Sequence, residues 1–521
     1  MMDAIYLLVG FTCTSLVLSY LWNVLNNMRK HLKKSNSPPM EPPKVWSPFP
    51  FIGSAIEMGQ DIRGFILKNS KRLESPIFTA TIAGKECHFL ADSLDTDMVY
   101  QRNKALDSNS LAIQFVTNVC GADDQEVQHI YNDKEWLKMS TKNVQHHVWS
   151  REAIAQLVPE SQHILNERLD QCILEMTNNK DGQQKIGLYD FCLKHIFCAS
   201  VAPIVSTMVA TDELALEYAQ FEKGIPLLFA KVPSIFLRKA ISAREILIAK
   251  LGSSDFLEQG ASQLMKDRAE MFAAAGRSST ILNRVNLGIL FGAVGNSIPA
   301  IFWTIACIIS HPDAKAAVQK EVDGFLANKR RGNSIKSHAS SISTLEELDQ
   351  LVVLNSCFQE ATRLYHALFS PADVVQDFIF ESKDTSSSSS LPSKFLFRKG
   401  TRIMSFFQVR HYDADIFPNP ESFQYNRFVP DPVTGKPPIF TKNGKTLLEP
   451  LKIFGGGEHA CVGRRFIGYE ARHFLATLFA KFDIQVASGE SLPIPDQALQ
   501  GIGVGQPDRE MYVEMRPRKT D

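Results

Sequence analysis

FGGGEHACVG, residues 454–463, sets three consecutive glycines ahead of a single cysteine and a fourth glycine two residues beyond it. Glycine loses more backbone entropy on folding than other residues, so this concentration implies that something approaches the main chain closely. Three readings of Cys461 compete: a buried structural thiol, a nucleophile, or a metal ligand. A nucleophile wants a histidine and an orienting partner arranged around it, and His459 alone, two residues away, is too local to supply that. Downstream, Ile467, Ala471, Phe474, Leu475, Leu478 and Phe482 recur at helical spacing, which predicts a helix beginning near Val462. The cysteine then stands just before a helix N-terminus, where the dipole and free amides stabilise a negative sulfur.

A thiolate beside a glycine-lined loop suits an iron porphyrin, whose flat ring lies against backbone while the sulfur ligates its metal. Composition agrees with a catalytic body of this kind. The 521 residues carry 56 acidic and 56 basic side chains, so no field of one sign draws the chain to nucleic acid. Nine cysteines are scattered without a CxxC pair, which argues against a zinc site or a disulfide framework and for a reducing compartment.

Residues 4–25 carry no charge and are long enough to cross a bilayer as a helix. Arg29, Lys30, Lys33 and Lys34 follow, and the positive-inside rule places that flank in the cytosol. A cleaved signal peptide would carry its charges before the apolar run. The reading is a membrane anchor over 1–30, a basic and proline-rich hinge over 31–53, and a catalytic domain over 54–521. The six prolines of 37–53 predict a stiff spacer without ladder hydrogen bonds.

The body reads as mainly α, with strands at its two ends. Residues 77–92 alternate around a glycine turn and predict a hairpin; 482–487 and 509–515 predict a second small sheet. Helical periodicity dominates 151–176, 213–231 and 281–310, and the serine-rich stretches 328–343 and 381–394 read as exposed connectors.

Phe454, Gly457, His459, Cys461 and Gly463 resemble the cysteine-loop signature of the cytochrome P-450 family, with His459 where arginine is more frequent. Glu360 and Arg363, in FQEATRLYH, match that family's Glu-x-x-Arg pair, and FPNPESFQYNRF (417–428) resembles its aromatic–Arg segment. The resemblance covers the chain from anchor to terminal sheet. It implies a large single-domain helical fold with small peripheral sheets, and a Glu360–Arg363–Arg427 cluster behind the cysteine loop. It also implies haem b (iron protoporphyrin IX) ligated by Cys461, with His459, Phe454, Gly457 and Gly463 forming its cofactor loop.

The helix expected to cross the haem is 281–312. There the family's Ala/Gly-Gly-x-acid-Thr core falls on Gly292, Ala293, Val294, Gly295 and Asn296, so both the acid and the alcohol are replaced. An amide donates and accepts hydrogen bonds but does not act as a general acid at neutral pH. Pro299 lacks the N–H that would serve the Gly295 carbonyl, which predicts a kink opening a groove at this point. Gly295, Asn296 and Ser297 are the catalytic candidates.

Residues 295–303 and the tail 496–517 are similar to the branch holding sterol hydroxylases and prostacyclin synthase. The resemblance implies a monooxygenase of the endoplasmic reticulum membrane, acting on an apolar sterol or terpenoid with O2. Its NADPH electrons would come from NADPH–cytochrome P-450 reductase, with cytochrome b5 as an optional donor. The alternative is a reductase-independent isomerase or dehydratase that rearranges a lipid peroxide. A non-catalytic haem scaffold would be expected to lack Cys461. Residues 129–153 offer Trp136, Lys138, Lys142, His146 and His147 near a haem propionate, with Lys138 or Lys142 the pick among them, but the spacing fits none cleanly. His459, whose position matches the family motif, is the better propionate partner; 109–120 and 220–236 are candidates for substrate contacts.

Overall fold

Hydrophobic residues at helical spacing build most of the chain, and the strands are short and peripheral. The computed structural model describes residues 39–101, 103–178, 183–332, 344–383, 394–457 and 460–518. The expected anchor (1–30), the start of the hinge, much of both serine-rich connectors and His459 lie outside them. Two units interleave in sequence, each assembled from separated stretches, so no single linker marks a boundary.

The smaller unit holds the described residues up to Ser110 together with Leu368–Asp413 and the turn at Gly456. Its hairpin is the expected one: Ile77–Ile82 pairs antiparallel with Lys85–Leu90, turning at Ala83 and Gly84 with φ of 48° and 81°. Arg402–Phe406 then pairs parallel with the second of these strands and antiparallel with residues 369–373. Strands in this middle region were not expected. A parallel partner more than 300 positions away leaves no local signature, because the register is set by packing alone.

The proline-rich stretch also departs from its reading as an unpaired spacer. Val45 donates to the Thr79 carbonyl at 2.7 Å, and Thr79 donates to the Pro43 carbonyl at 2.8 Å. Proline forfeits only its donor; its carbonyl and its neighbour's N–H still pair on a sheet edge.

The larger unit carries the helices that shape the site: α1 (Lys134–Val148), α2 (Arg151–Asn178), α3 (Leu188–Ile204), α4 (Asp212–Phe229), α5 (Ser279–Val294), α6 (Ser297–Ser310), α7 (Val352–Tyr365) and α8 (Arg464–Lys481). Every residue of α6 from Ser297 to Ile309 is buried. Among the described residues, Ser279–Ser310 alone is long and apolar enough to cross a membrane, and 78% of its apolar window is buried within the protein. It is a core element. In the terminal sheet Phe482–Val486 pairs with Tyr512–Pro517 as expected, and Gln184–Gly187 adds a third strand.

The single helix expected over 281–312 is two. α5 ends at Val294, capped where Gly295 donates to the Phe291 carbonyl at 2.8 Å, and α6 restarts at Ser297. Pro299 is thereby the third residue of a new helix, where a backbone N–H has no intrahelical carbonyl to reach. The break accommodates the proline.

Candidate active site

The glycine-rich loop is closed by its own backbone: Cys461 N–H donates to the Phe454 carbonyl at 2.8 Å. Gly455 and Gly457 take φ of 69° and 57°, the left-handed region in which glycine alone is unstrained. α8 begins at Arg464, two residues later than expected, and Phe482 has already left it for a strand. Arg464 N–H donates to the Cys461 carbonyl at 3.5 Å.

Among the eight described cysteines this one alone is exposed. Burial pushes the Cys87 thiol up to about 11 and those of Cys120 and Cys307 up to about 12. Loss of solvation also raises Cys461, whose sulfur sits recessed although its surface is open. There the Gly463 amide, the Arg464 guanidinium and the Arg464 amide pull the other way. That donor set favours a thiolate. Among the described residues no group of three or more His, Cys, Asp or Glu could hold a bare metal ion. A single sulfur fed by amides fits an iron that brings its other ligands in a macrocycle.

Glu360, Arg363 and Arg427 meet. Arg363 donates through Nε and Nη2 to the Glu360 carboxylate at 2.7 and 2.9 Å, and Arg427 Nε donates to the same carboxylate at 2.9 Å. The spare donors reach backbone: Arg363 Nη1 to Pro420 O and Arg427 Nη1 to Pro418 O, each at 2.8 Å. Gln424 N–H adds a third donor to Glu360 Oε1 at 3.1 Å. Burial lowers the Arg427 pKa against the pull of Glu360. The cluster therefore fixes the 418–427 loop on α7.

The helix break has one open side. Gly292 and Asn296 are exposed, although Val294, Gly295 and Ser297 between and beside them are buried. No heavy atom lies within 4 Å of where a Cβ on Gly292 would stand. Ser297 turns away from that side, its hydroxyl donating to the Ala293 carbonyl at 2.9 Å. Gly295 is hemmed by Phe291, whose ring would lie 2.7 Å from an added Cβ. Asn296 Oδ1 accepts the N–H of Val504 at 2.8 Å. A backbone N–H can only donate, so its partner must be the amide oxygen, and Nδ2 is left for the open side.

The pattern of the cytochrome P-450 family matches residues 43–515. The chain belongs to the cytochrome P-450 family. Family membership brings a haem-thiolate iron, electrons from a redox partner and monooxygenase activity. Among similar proteins, cytochrome P-450 7B1 of Mus musculus is 26% identical over 487 residues, spanning 90% of this chain and 89% of its own. Cholesterol 7-alpha-monooxygenase of Cricetulus griseus is 25% identical and covers 94% of both chains. Prostacyclin synthase of Homo sapiens is 24% identical, covering 92% of this chain and 95% of its own. The solved structure of retinoic acid bound cyanobacterial CYP120A1 has the same fold, with TM-score 0.65, 18% identity, and coverage of 92% of this chain and 100% of that one.

Other expected positions in this P-450 divide. Trp136 is buried in a T-shaped contact with Phe272, ring centroids 4.9 Å apart, whereas Lys138, Lys142 and His146 are exposed. His147 Nε2 sits 2.8 Å from Asp267. The 109–120 segment ends in a π-helical turn, Phe115–Val119, a form often found at functional sites. Phe221, Ile225 and Leu228 are core, while Ile235 and Phe236 are exposed. Sequence reasoning missed Gly503, Val504, Trp303 and Gln506. Val504 reaches Asn296 and Trp303 reaches Gly505 across some 200 positions, and only the unusual glycine spacing of GIGVG hinted at a close approach.

Proposed function

We propose that this P-450 is a membrane-bound monooxygenase that oxidises a hydrophobic substrate of the sterol class, with O2 and electrons passed from NADPH by NADPH–cytochrome P-450 reductase, cytochrome b5 being an optional donor. The observation that carries this is Cys461, the one exposed cysteine among those described, set just before the start of α8 in the glycine loop that its N–H closes onto the Phe454 carbonyl. Haem b, bound there, would activate dioxygen, and the thiolate would push electron density toward its cleavage. Phe454, Gly457 and Gly463 would shape the loop for it, and His459 would serve a propionate. The sterol class is supported by the cholesterol 7-alpha-monooxygenase relative, which aligns over 94% of this chain.

Asn296 then works as a fixed donor. Its Oδ1 is occupied, so Nδ2 can stabilise an acceptor on the open side but cannot remove a proton. Gly295 keeps the helix break narrow, and Ser297 anchors the start of α6 rather than reaching the open side. Protons for the reaction would therefore come through solvent on the open side, with Asn296 orienting rather than exchanging them. Residues 1–30 would anchor the enzyme in the endoplasmic reticulum membrane as a single span, with the body in the cytosol.

The test uses purified holoprotein with its reductase and a panel of sterols. Substrate-dependent NADPH consumption with an oxygenated product supports the reading. Turnover of a lipid hydroperoxide without electrons, and none of the sterols with them, would put the rearranging chemistry of a prostacyclin synthase in its place.

A further inference from the structure

The second and third glycines of the cysteine loop face Tyr100. A Cβ on Gly456 would lie 2.6 Å from Cδ2 of the tyrosine ring and 3.1 Å from its Cγ. One on Gly457 would lie 2.8 Å from the Tyr100 carbonyl oxygen. Gly457 has a second reason to be glycine, its φ of 57°. Gly456 takes no positive φ, so its backbone does not require glycine, and the three atoms nearest to its missing Cβ all belong to the tyrosine ring.

That ring is fixed on both sides. It lies parallel to Phe407, with centroids 5.4 Å apart and an interplanar angle of 5°, and its hydroxyl sits 2.7 Å from Ser370 Oγ. Its backbone closes the short 3-10 helix Asp95–Tyr100, which is tied down in turn. The Ser405 hydroxyl donates to the Thr96 carbonyl at 2.7 Å, and Arg410 Nη1 donates to the Asp97 carboxylate at 2.7 Å. At 456 and 457, then, what comes close to the main chain is a tyrosine of the protein itself.

We propose that Tyr100 is a positioning residue for the thiolate. Its ring and its carbonyl fix the course of the main chain at 456–457, and with it the stretch that leads to Cys461. This rests on the reading of Cys461 as the iron ligand. A side chain at 456 would have to restore an ordinary carbon–carbon separation of about 3.5–4.0 Å, a displacement of about 1 Å. A metal ligand must be held within about 0.5 Å of its productive place, so a shift of that size reaches the iron bond.

The experiment compares holoprotein carrying Gly456→Ala, Tyr100→Ala, the two together, and Gly457→Ala with and without Tyr100→Ala. The readout is the share of the reduced carbon monoxide complex that shows the red-shifted Soret band of thiolate ligation, with the melting temperature alongside. Gly456→Ala, which overpacks the loop, and Tyr100→Ala, which leaves it unsupported, should each lose most of that band. The double variant should regain part of it beyond either single one, because the methyl enters space that the ring has left. Gly457→Ala should lose the band and stay low with Tyr100→Ala, since its obstacle is a backbone carbonyl that the substitution leaves in place.

A wild-type band in Gly456→Ala or in Tyr100→Ala overturns the proposal. So does a double variant no better than Gly456→Ala, or an equal rescue at 457. Where Tyr100→Ala fails to fold, Tyr100→Leu replaces it in every pair. Wild-type protein without the red-shifted band sinks the reading of Cys461 instead. Melting temperatures then judge the tyrosine contact by the same pattern, loss at 456 and recovery with the smaller residue at 100.

Discussion

Arg363 and Glu360, one helical turn apart on α7, are both fully buried and are joined by two hydrogen bonds of 2.7 and 2.9 Å. Arg427 shares the same carboxylate at 2.9 Å. Inside the protein such a group stabilises only as a complete set, because each charge was desolvated to form it. On a solvated helix face the same spacing is worth a fraction of a kcal/mol. Its depth makes the difference.

Glu360→Leu leaves two guanidinium groups facing each other without their counter-charge. It should cost about 3–5 kcal/mol. Glu360→Leu/Arg363→Leu should recover part of that loss, since the uncompensated charge is halved. Urea unfolding midpoints compare the two, and equal destabilisation would show that packing rather than charge dominates.

Cys461→Ala removes the one exposed cysteine among those described, while the seven others remain. Purified protein should lose the strongly red-shifted Soret band of the reduced carbon monoxide complex, with little change in far-ultraviolet circular dichroism. Cys307→Ala, at a buried thiol, should keep the band.

Gly503→Ala tests the close approach at the helix break. The added methyl would fall 1.8 Å from Asn296 Oδ1 at a φ of 154°, so backbone or amide must move. A loss of about 1–3 kcal/mol is expected, the usual cost of overpacking a filled site. Thermal melts measure it, and a variant as stable as wild type would mean that the tail yields without cost.

Acid and alkaline limits on stability have separate sources. Burial pushes Glu222 and Glu470 up to about 8, against an ordinary value of 4.5. Between those values the folded state holds more protons than the unfolded one, so stability falls as pH rises through the window. His195 and His366 are pushed down to about 4 and His473 to about 3, from 6.5, by burial. Below 6.5 the unfolded state binds more protons, and stability falls as pH drops. The melting temperature should peak near pH 6. Glu470→Gln should flatten the alkaline limb and, since its window opens at 4.5, steepen the acid limb between there and pH 6.5.

What was legible in the sequence was local. The cysteine loop, the Glu360–Arg363 spacing and the 77–92 hairpin each fit within sixteen residues, so residue type and period suffice to find them. Arg427 came from family likeness, since nothing in its own neighbourhood says that it reaches Glu360. The helix break was half visible: Pro299 predicted a disturbance, but the partners of the restarted helix, Val504 for Asn296 and Gly505 for Trp303, come from the far end of the chain. Pairing of the 402–406 strand with Lys85–Leu90 had no local mark at all.

Two glycines at the break offer opposite prospects to anyone wishing to change what this enzyme accepts. Position 503 is locked, because even a methyl there collides with the amide it is meant to steady. At position 292 an added Cβ meets no protein atom within 4 Å, so alanine, valine or leucine there could be added as successively deeper baffles. A combinatorial library that varies 292 and spares 503 would retune selectivity while leaving the donor arrangement intact.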